Sequence, residues 1–460
     1  MSQDKNIVII GCGAGGGTAA QFARKTDRKS SITIFEKGKY PQYSKCGIPH
    51  AISSIIPKIN DLIEYDENWF KKANIELFLK TNVETIDAKK RIVIARKDEN
   101  IIKKSYDSLI ICTGAKPKIL PILNIEKNDK LVDGIFVVRT IDDAELISKN
   151  MGRAKNAVII GAGLIGFEMA DTLFNKGMKV TIVETLPDIL PYTIDGDMAK
   201  LVKEKIPRDI NIFTHNIASK IETADNKIKR VFIKDNKTGE EKTLDADLMI
   251  IAAGTNPNIE LAKSIGCKIG KTGGVIVNNK SETSIKSVYS VGDCTEYKDF
   301  ITAKPVLIGL GSIAVRQGIA AGVNAAEGEY KLPGGALNTS TSEFFGIEIA
   351  AVGPVTNNIK DDFSIVTGRF NGLSLPDYYP GGKPVSVKVI ADKYTGMIMG
   401  AQCVGDKAAQ RINTFACAIL AGLDIETFRK LETAYAPSIA PTLDAVTLAC
   451  DIVSLKLNRK

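Results

Sequence analysis

Short apolar runs closed by glycine or glutamate punctuate the first two thirds of the chain. Ile7-Val-Ile-Ile10 runs into Gly11 and Ala157-Val-Ile-Ile160 into Gly161, while Ser31–Phe35 and Lys179–Val183 end on Glu36 and Glu184. Runs this short, bounded by turn formers, read as strands buried on both faces, as in parallel sheets covered by helices. Similar runs lead to Thr113-Gly114, to Gly254 and to Gly292-Asp293. The segments after Gly16 and Gly166 read as helices, so the order is strand, helix, strand, twice over. Near the C-terminus the pattern changes to two longer strands, Val385–Ile390 and Thr395–Val404, followed by a helix, Ala408–Leu420.

The turns carry the chemistry. In Gly11-Cys-Gly13-Ala14-Gly-Gly16, Gly11 makes the tight turn and Gly13 lets backbone approach a pyrophosphate. Gly16 lets the helix pack close, and the helix start supplies amide donors. Glu36 stands 25 residues after Gly11, with Lys37 following, where a carboxylate can accept from a ribose. Gly161-Ala-Gly163-Leu164-Ile165-Gly166 and Glu184 repeat the arrangement. Two complete fingerprints imply two dinucleotides that exchange electrons, and flavin with nicotinamide is the commonest such pair. Glu184 repels a 2′-phosphate, which favours NADH over NADPH.

Bulk properties agree and exclude other classes. A chain of 460 residues exceeds one core, and a net charge of +8 spread along it suits anionic small ligands without forming the basic stripe of a nucleic-acid binder. No apolar run reaches the roughly 18 residues of a membrane span, and Met1–Ile10 lacks the regions of a secretory signal, so a cytoplasmic protein is expected. Eight cysteines without CxxC pairs predict neither a zinc site nor a disulfide scaffold, and no metal is expected.

With Gly292-Asp293 in place, the chain resembles the pyridine nucleotide-disulfide oxidoreductase family along essentially its whole length. The resemblance makes the first site the FAD site, with Asp293 on the ribityl chain, and the second the NAD(P)H site. It implies an α/β fold with two Rossmann-like domains and a C-terminal α+β dimerisation domain. FAD-domain residues would be 1–118 and 254–330, NAD-domain residues 119–253 and interface residues 331–460, in a homodimer.

Cys46, in Tyr40-Pro-Gln-Tyr-Ser44-Lys-Cys46-Gly-Ile-Pro-His50, occupies the family's redox position, where a helix begins and its dipole helps hold a thiolate over the flavin. No cysteine lies within five residues of it, and the only histidines are His50 and His215. An internal disulfide at this position and a C-terminal histidine acid are therefore both excluded. The chain resembles the single-cysteine branch, which holds coenzyme A-disulfide reductases, NADH oxidases and peroxidases, and sulfur reductases. Ala14 replaces the histidine of peroxide-handling members. By the same resemblance Tyr379 and Tyr435 are candidate proton donors to a departing thiolate, packing residues at an interface being the alternative. Gln21, Arg24 and Ser44 are candidate substrate contacts, although a solvated helix face explains the first two as well. Gln42 stands where many relatives have serine, and Leu164 where many have a tyrosine gate.

Three functions remain open on the sequence. The first is NADH-driven reduction of coenzyme A disulfide, polysulfide or a related persulfide through Cys46. An NADH oxidase yielding peroxide or water is the second, and a redox-sensing protein that holds FAD and NADH is the third.

Overall fold

The computed structural model describes residues 5–128 and 130–458, so Met1–Asp4, part of the segment read for a secretory signal, lie outside it. The chain forms two compact units: residues 1–118, 139–145 and 254–336 make the first, and 119–138, 146–253 and 337–460 the second.

In the first unit, five parallel strands lie in the order Val288–Ser290, Ser108–Ile111, Asn6–Ile10, Ser31–Phe35, Glu76–Phe78. Side chains alternate across this sheet, and both faces are dry. Ile7, Ile9, Ile32 and Ile34 pack under helices with Ala19, Ala23 and Ala321, whereas Val8, Ile10, Leu109 and Ile111 pack with Val93 and Ala95. Val93 and Ala95 belong to an antiparallel three-stranded sheet over residues 82–105. Each buried isoleucine contributes about 1.5–3 kcal/mol relative to exposure. The helices Ala14–Thr26 and Gly311–Ala325 approach through glycine: a Cβ on Gly322 would stand 2.3 Å from the Ala19 carbonyl oxygen. A Cβ on Gly15 would stand 3.2 Å from the Ala314 carbonyl oxygen, which sets the start of the second helix against the first motif.

The second unit repeats the sheet, in the order Ile135–Val137, Leu248–Ile251, Asn156–Ile160, Lys179–Val183, Asn211–Phe213. It also contains a five-stranded antiparallel sheet, in the order Ser340–Phe344, Ile347–Val352, Ile398–Gly405, Pro384–Asp392, Ile365–Leu373, backed by the helices Ala408–Leu420 and Ala445–Leu457. Phe167 stacks on Phe344 at 4.8 Å, and the Ser342 hydroxyl donates to Glu168, so the nucleotide fold and this sheet share a core. The strand expected from Thr395 starts at Ile398. Asp392 accepts from the amides of Tyr394 and Thr395, and Gly396 has φ +69°, so those residues form the hairpin turn. Among the described residues no helix is long and apolar enough to cross a membrane.

Candidate functional site

The two glycine turns have the same geometry. Gly11 has φ +101° and Gly161 φ +110°, and a Cβ on either would collide with a carbonyl oxygen, that of Cys112 at 2.3 Å or of Ala252 at 2.4 Å. Gly16 and Gly166 press on the carbonyls of Gly11 and Gly161, whereas a Cβ on Gly13 or Gly163 would meet nothing within 4 Å. That open side is where a pyrophosphate fits. Ala14 begins one helix, and Leu164 and the exposed Ile165 begin the other; neither helix start carries a side-chain cap or an acidic residue.

The acidic ends match as well. Glu36 accepts from the amides of Cys12 and Gly38, both at 2.7 Å, and Glu184 from those of Ala162 and Leu186, both at 2.8 Å. Each carboxylate thereby braces its own glycine turn. Lys37 is exposed beyond Glu36. The Thr113 hydroxyl donates to the Asn258 carbonyl at 2.6 Å, and the Asn258 side chain donates to the Thr113 carbonyl at 2.9 Å. With Gly114 at φ +65° and Gly254 at φ +92°, this exchange locks the crossing of the strands Ala115–Pro117 and Thr255–Pro257.

Asp293 follows Gly292, whose amide donates to Gln317 at 2.8 Å. Its carboxylate is held by Arg139 at 2.5 Å, and the Arg139 Nε is buried with no hydrogen-bond partner. An orphaned guanidinium nitrogen in the ion pair with Asp293, its other end close to Gly114, is a donor that an anionic group such as the phosphate of FAD would satisfy. Sequence reasoning missed Arg139, because its partner lies 154 residues away.

Cys46 is exposed on a pinned loop. Ser44 and Leu62 join by a 2.9 Å backbone bond, Tyr43 bridges Ile63, and the Ser44 hydroxyl accepts weakly from the Gly47 amide at 3.3 Å. Gln42 wedges between Glu64, to which it donates at 2.9 Å, and Gly17, where any Cβ would overlap its side chain. This packing accounts for the departure from serine there. The helix expected at Cys46 begins two residues later and spans only Ile48–Ser53, too short to supply much dipole. Lys45, next to Cys46, is exposed, and desolvation together with the Arg139 charge lowers its pKa from the usual lysine value, against Asp293, Glu36 and Asp143.

The remaining candidates separate. Arg24 spends its guanidinium on the carbonyls of Ala73, Asp27, Arg28 and Asn74, which gives it a task in closing helix ends. It also lines a pocket of about 830 Å³ with Lys29, Lys71 and Lys104. Gln21 is partly exposed on the same helix. In the second unit, Tyr435 meets Tyr378, not Tyr379: the two hydroxyls are 2.9 Å apart, and that bond raises the Tyr378 pKa above the ordinary phenol value. Among the described residues no metal-binding cluster occurs.

The family model for pyridine nucleotide-disulphide oxidoreductases matches residues 5–319, and that for their dimerisation domain matches 339–446. The chain belongs to the pyridine nucleotide-disulphide oxidoreductase family. It is an oxidoreductase that uses FAD and NAD(P)H. It is 37% identical to an NADH oxidase of Methanocaldococcus jannaschii, covering 98% of this chain and 99% of that one. It is 35% identical to the CoA-dependent NAD(P)H sulfur oxidoreductase of Pyrococcus furiosus, with coverage of 98% and 99%. A solved NAD-dependent persulfide reductase from A. fulgidus superposes with a TM-score of 0.93 at 33% identity, over 98% of this chain and 83% of that one.

Proposed function

We propose that the enzyme uses NADH to reduce a persulfide, polysulfide or coenzyme A disulfide through Cys46. The observation that carries this reading is an exposed cysteine, on a loop without a second cysteine, in the unit that holds the FAD fingerprint. The names of the Pyrococcus and A. fulgidus relatives support it. Gly13, Glu36, Arg139 and Asp293 would hold FAD, and Gly163 and Glu184 would hold NADH. Glu184 is nearly buried and already bonded to two amides, which leaves poor accommodation for a 2′-phosphate.

FAD, held there, would supply two-electron transfer between NADH and sulfur. Cys46, as thiolate, attacks one sulfur of the substrate; the old S–S bond breaks and the departing thiolate takes a proton. Two electrons then cleave the new bond to Cys46 and return the thiolate. We assign the proton donation to Tyr378 and Tyr435 as a bonded pair, contributed by the partner in a homodimer, with Tyr379 beside them. Where the substrate carries coenzyme A, the cations of the Lys29 and Lys71 pocket suit its phosphates, with Gln21 and Ser44 as further contacts. A cytoplasmic setting, where reductants keep thiols available, suits this chemistry.

The second reading, an NADH oxidase, is favoured by the Methanocaldococcus relative. Anaerobic rapid mixing of the NADH-reduced enzyme with polysulfide, coenzyme A disulfide and oxygen separates the two. Sulfur turnover that disappears in Cys46→Ser, while NADH still reduces the flavin, supports the first. Sulfur turnover that survives Cys46→Ser refutes it.

A further inference from the structure

Residues 139–145 belong to the first unit, although the chain on either side of them, 119–138 and 146–253, belongs to the second. Chain continuity does not hold this segment to its unit, so contacts must. One is the Arg139–Asp293 ion pair. The others come from two consecutive residues just after Glu36. The Lys39 ammonium lies 2.6 Å from Asp142 and 3.6 Å from Glu145, and the Tyr40 hydroxyl donates to the other oxygen of Glu145 at 3.1 Å. Asp142 and Glu145 stand at i and i+3 on the helix Ile141–Met151, so they share a face and one ammonium bridges both. That ammonium also stands 4.9 Å from the centroid of the Tyr40 ring.

The start of the same helix fixes Arg139. The Asp143 carboxylate accepts from the amides of Arg139 at 3.0 Å and Thr140 at 2.8 Å, and the Thr140 hydroxyl accepts from the Asp143 amide at 3.2 Å. The Arg139 backbone is thus tied to the helix that Lys39 and Tyr40 grip. On its other side the grip continues into the first glycine turn, because Glu36 accepts from the amide of Gly38, next to Lys39, and from that of Cys12. Lys39, Asp142 and Glu145 are each about half exposed, and exposed ion pairs add little to global stability. What the bridge restricts is the position of the segment that carries Arg139.

Resting on the reading of Arg139 as a residue that holds FAD, we propose that Lys39 and Tyr40 are positioning residues for that cofactor. Neither has to touch FAD. They hold the first turns of the helix against the loop after Glu36, and so set where the Arg139 guanidinium, with its buried and unpartnered Nε, stands. Without the bridge the segment has more freedom, which FAD binding must then remove at a cost in affinity.

The test uses full-length holoenzyme, diluted stepwise while the fluorescence of released flavin gives the FAD dissociation constant. Lys39→Met combined with Tyr40→Phe removes the bridge and should raise that constant about 3- to 10-fold, the scale of two exposed contacts. Lys39→Arg keeps the charge and should stay within about twofold of wild type. Non-additivity decides the role. In an Arg139→Met background the same double substitution should add less than about twofold, because the residue it positions is gone. A merely structural bridge, or a lysine that itself touches FAD, would weaken binding by the same factor in both backgrounds, and that result overturns the proposal. So does unchanged affinity of the Lys39→Met, Tyr40→Phe protein where Arg139→Met alone weakens FAD binding. If Arg139→Met alone leaves the affinity within about twofold of wild type, the reading of Arg139 itself fails, and the positioning role falls with it.

Discussion

Arg139 and Asp293 form a 2.5 Å ion pair in which both side chains are more than four-fifths buried, while the Arg139 Nε bonds to nothing. A buried donor without an acceptor costs about 1–3 kcal/mol, and here it stands among the residues that fit FAD. Arg139→Met should therefore act twice. It strands the Asp293 charge, lowering stability of the FAD-free protein by about 2 kcal/mol, less than for a wholly dry pair because solvent reaches both groups. If Arg139 holds FAD as proposed, FAD should also bind about 10- to 100-fold more weakly. Fluorescence titration of the FAD-free protein with FAD reads the second effect, and urea unfolding the first.

Tyr378 and Tyr435 share a hydrogen bond, and Tyr379 is outside it. Phenylalanine at 378 or 435 should lower kcat with disulfide or persulfide acceptors by about 100-fold, the usual worth of a positioned acid, while Tyr379→Phe stays within about twofold. The raised Tyr378 pKa fixes the sign of the pH effect. Activity that needs the protonated phenol persists to higher pH than an ordinary tyrosine would allow. Tyr435→Phe should move the alkaline limb of the kcat profile to lower pH. An unmoved limb would show that another group donates the proton.

The sequence made the two nucleotide sites legible because their logic is local. A strand, three glycines at fixed offsets and an acidic end all lie within one supersecondary unit, in which Gly11 and Gly161 have positive φ, and Glu36 and Glu184 accept from the amides of their own glycine turns. Arg139 was silent because it acts across 154 residues. Tyr378 and Tyr379 are adjacent in an exposed loop, and nothing in their order says which one turns toward Tyr435. Arg24 read as a substrate contact or a solvated cation on its helix face, and four backbone carbonyls occupy its guanidinium.

Burial pushes the thiols of Cys403 and Cys450 up to about 12 and raises those of Cys12 and Cys112 as well. In the unfolded chain these thiols ionise near pH 8.5. Below that pH both states hold the proton, and the linkage is absent. Between the unfolded and folded pKa values only the unfolded chain releases it, so stability falls as pH rises, by about 1.4 kcal/mol per pH unit for each thiol. Unfolding free energy should accordingly drop steeply between about pH 9 and 10.5. The small substitution Cys450→Ala should flatten that slope by about one proton, as measured by urea unfolding across the range.

Lys388 lies 2.7 Å from both Asp195 and Asp197 and is 7% exposed, on the antiparallel sheet of the second unit. Asp195 also accepts from the Thr356 amide and hydroxyl, and its own amide donates to Gln402, so one carboxylate ties the Gly196–Lys203 helix to two other segments. Lys388→Met keeps most of the apolar stem but leaves Asp195 as an uncompensated buried anion, a loss of about 3–5 kcal/mol. Adding Asp195→Asn removes that anion while keeping an acceptor for Thr356. The double variant should recover about 1–2 kcal/mol relative to Lys388→Met alone, a coupling of the size expected for contacting residues. If Lys388→Met destabilises and Asp195→Asn recovers nothing, the lysine acts through its packed stem, and the ion pair is dispensable.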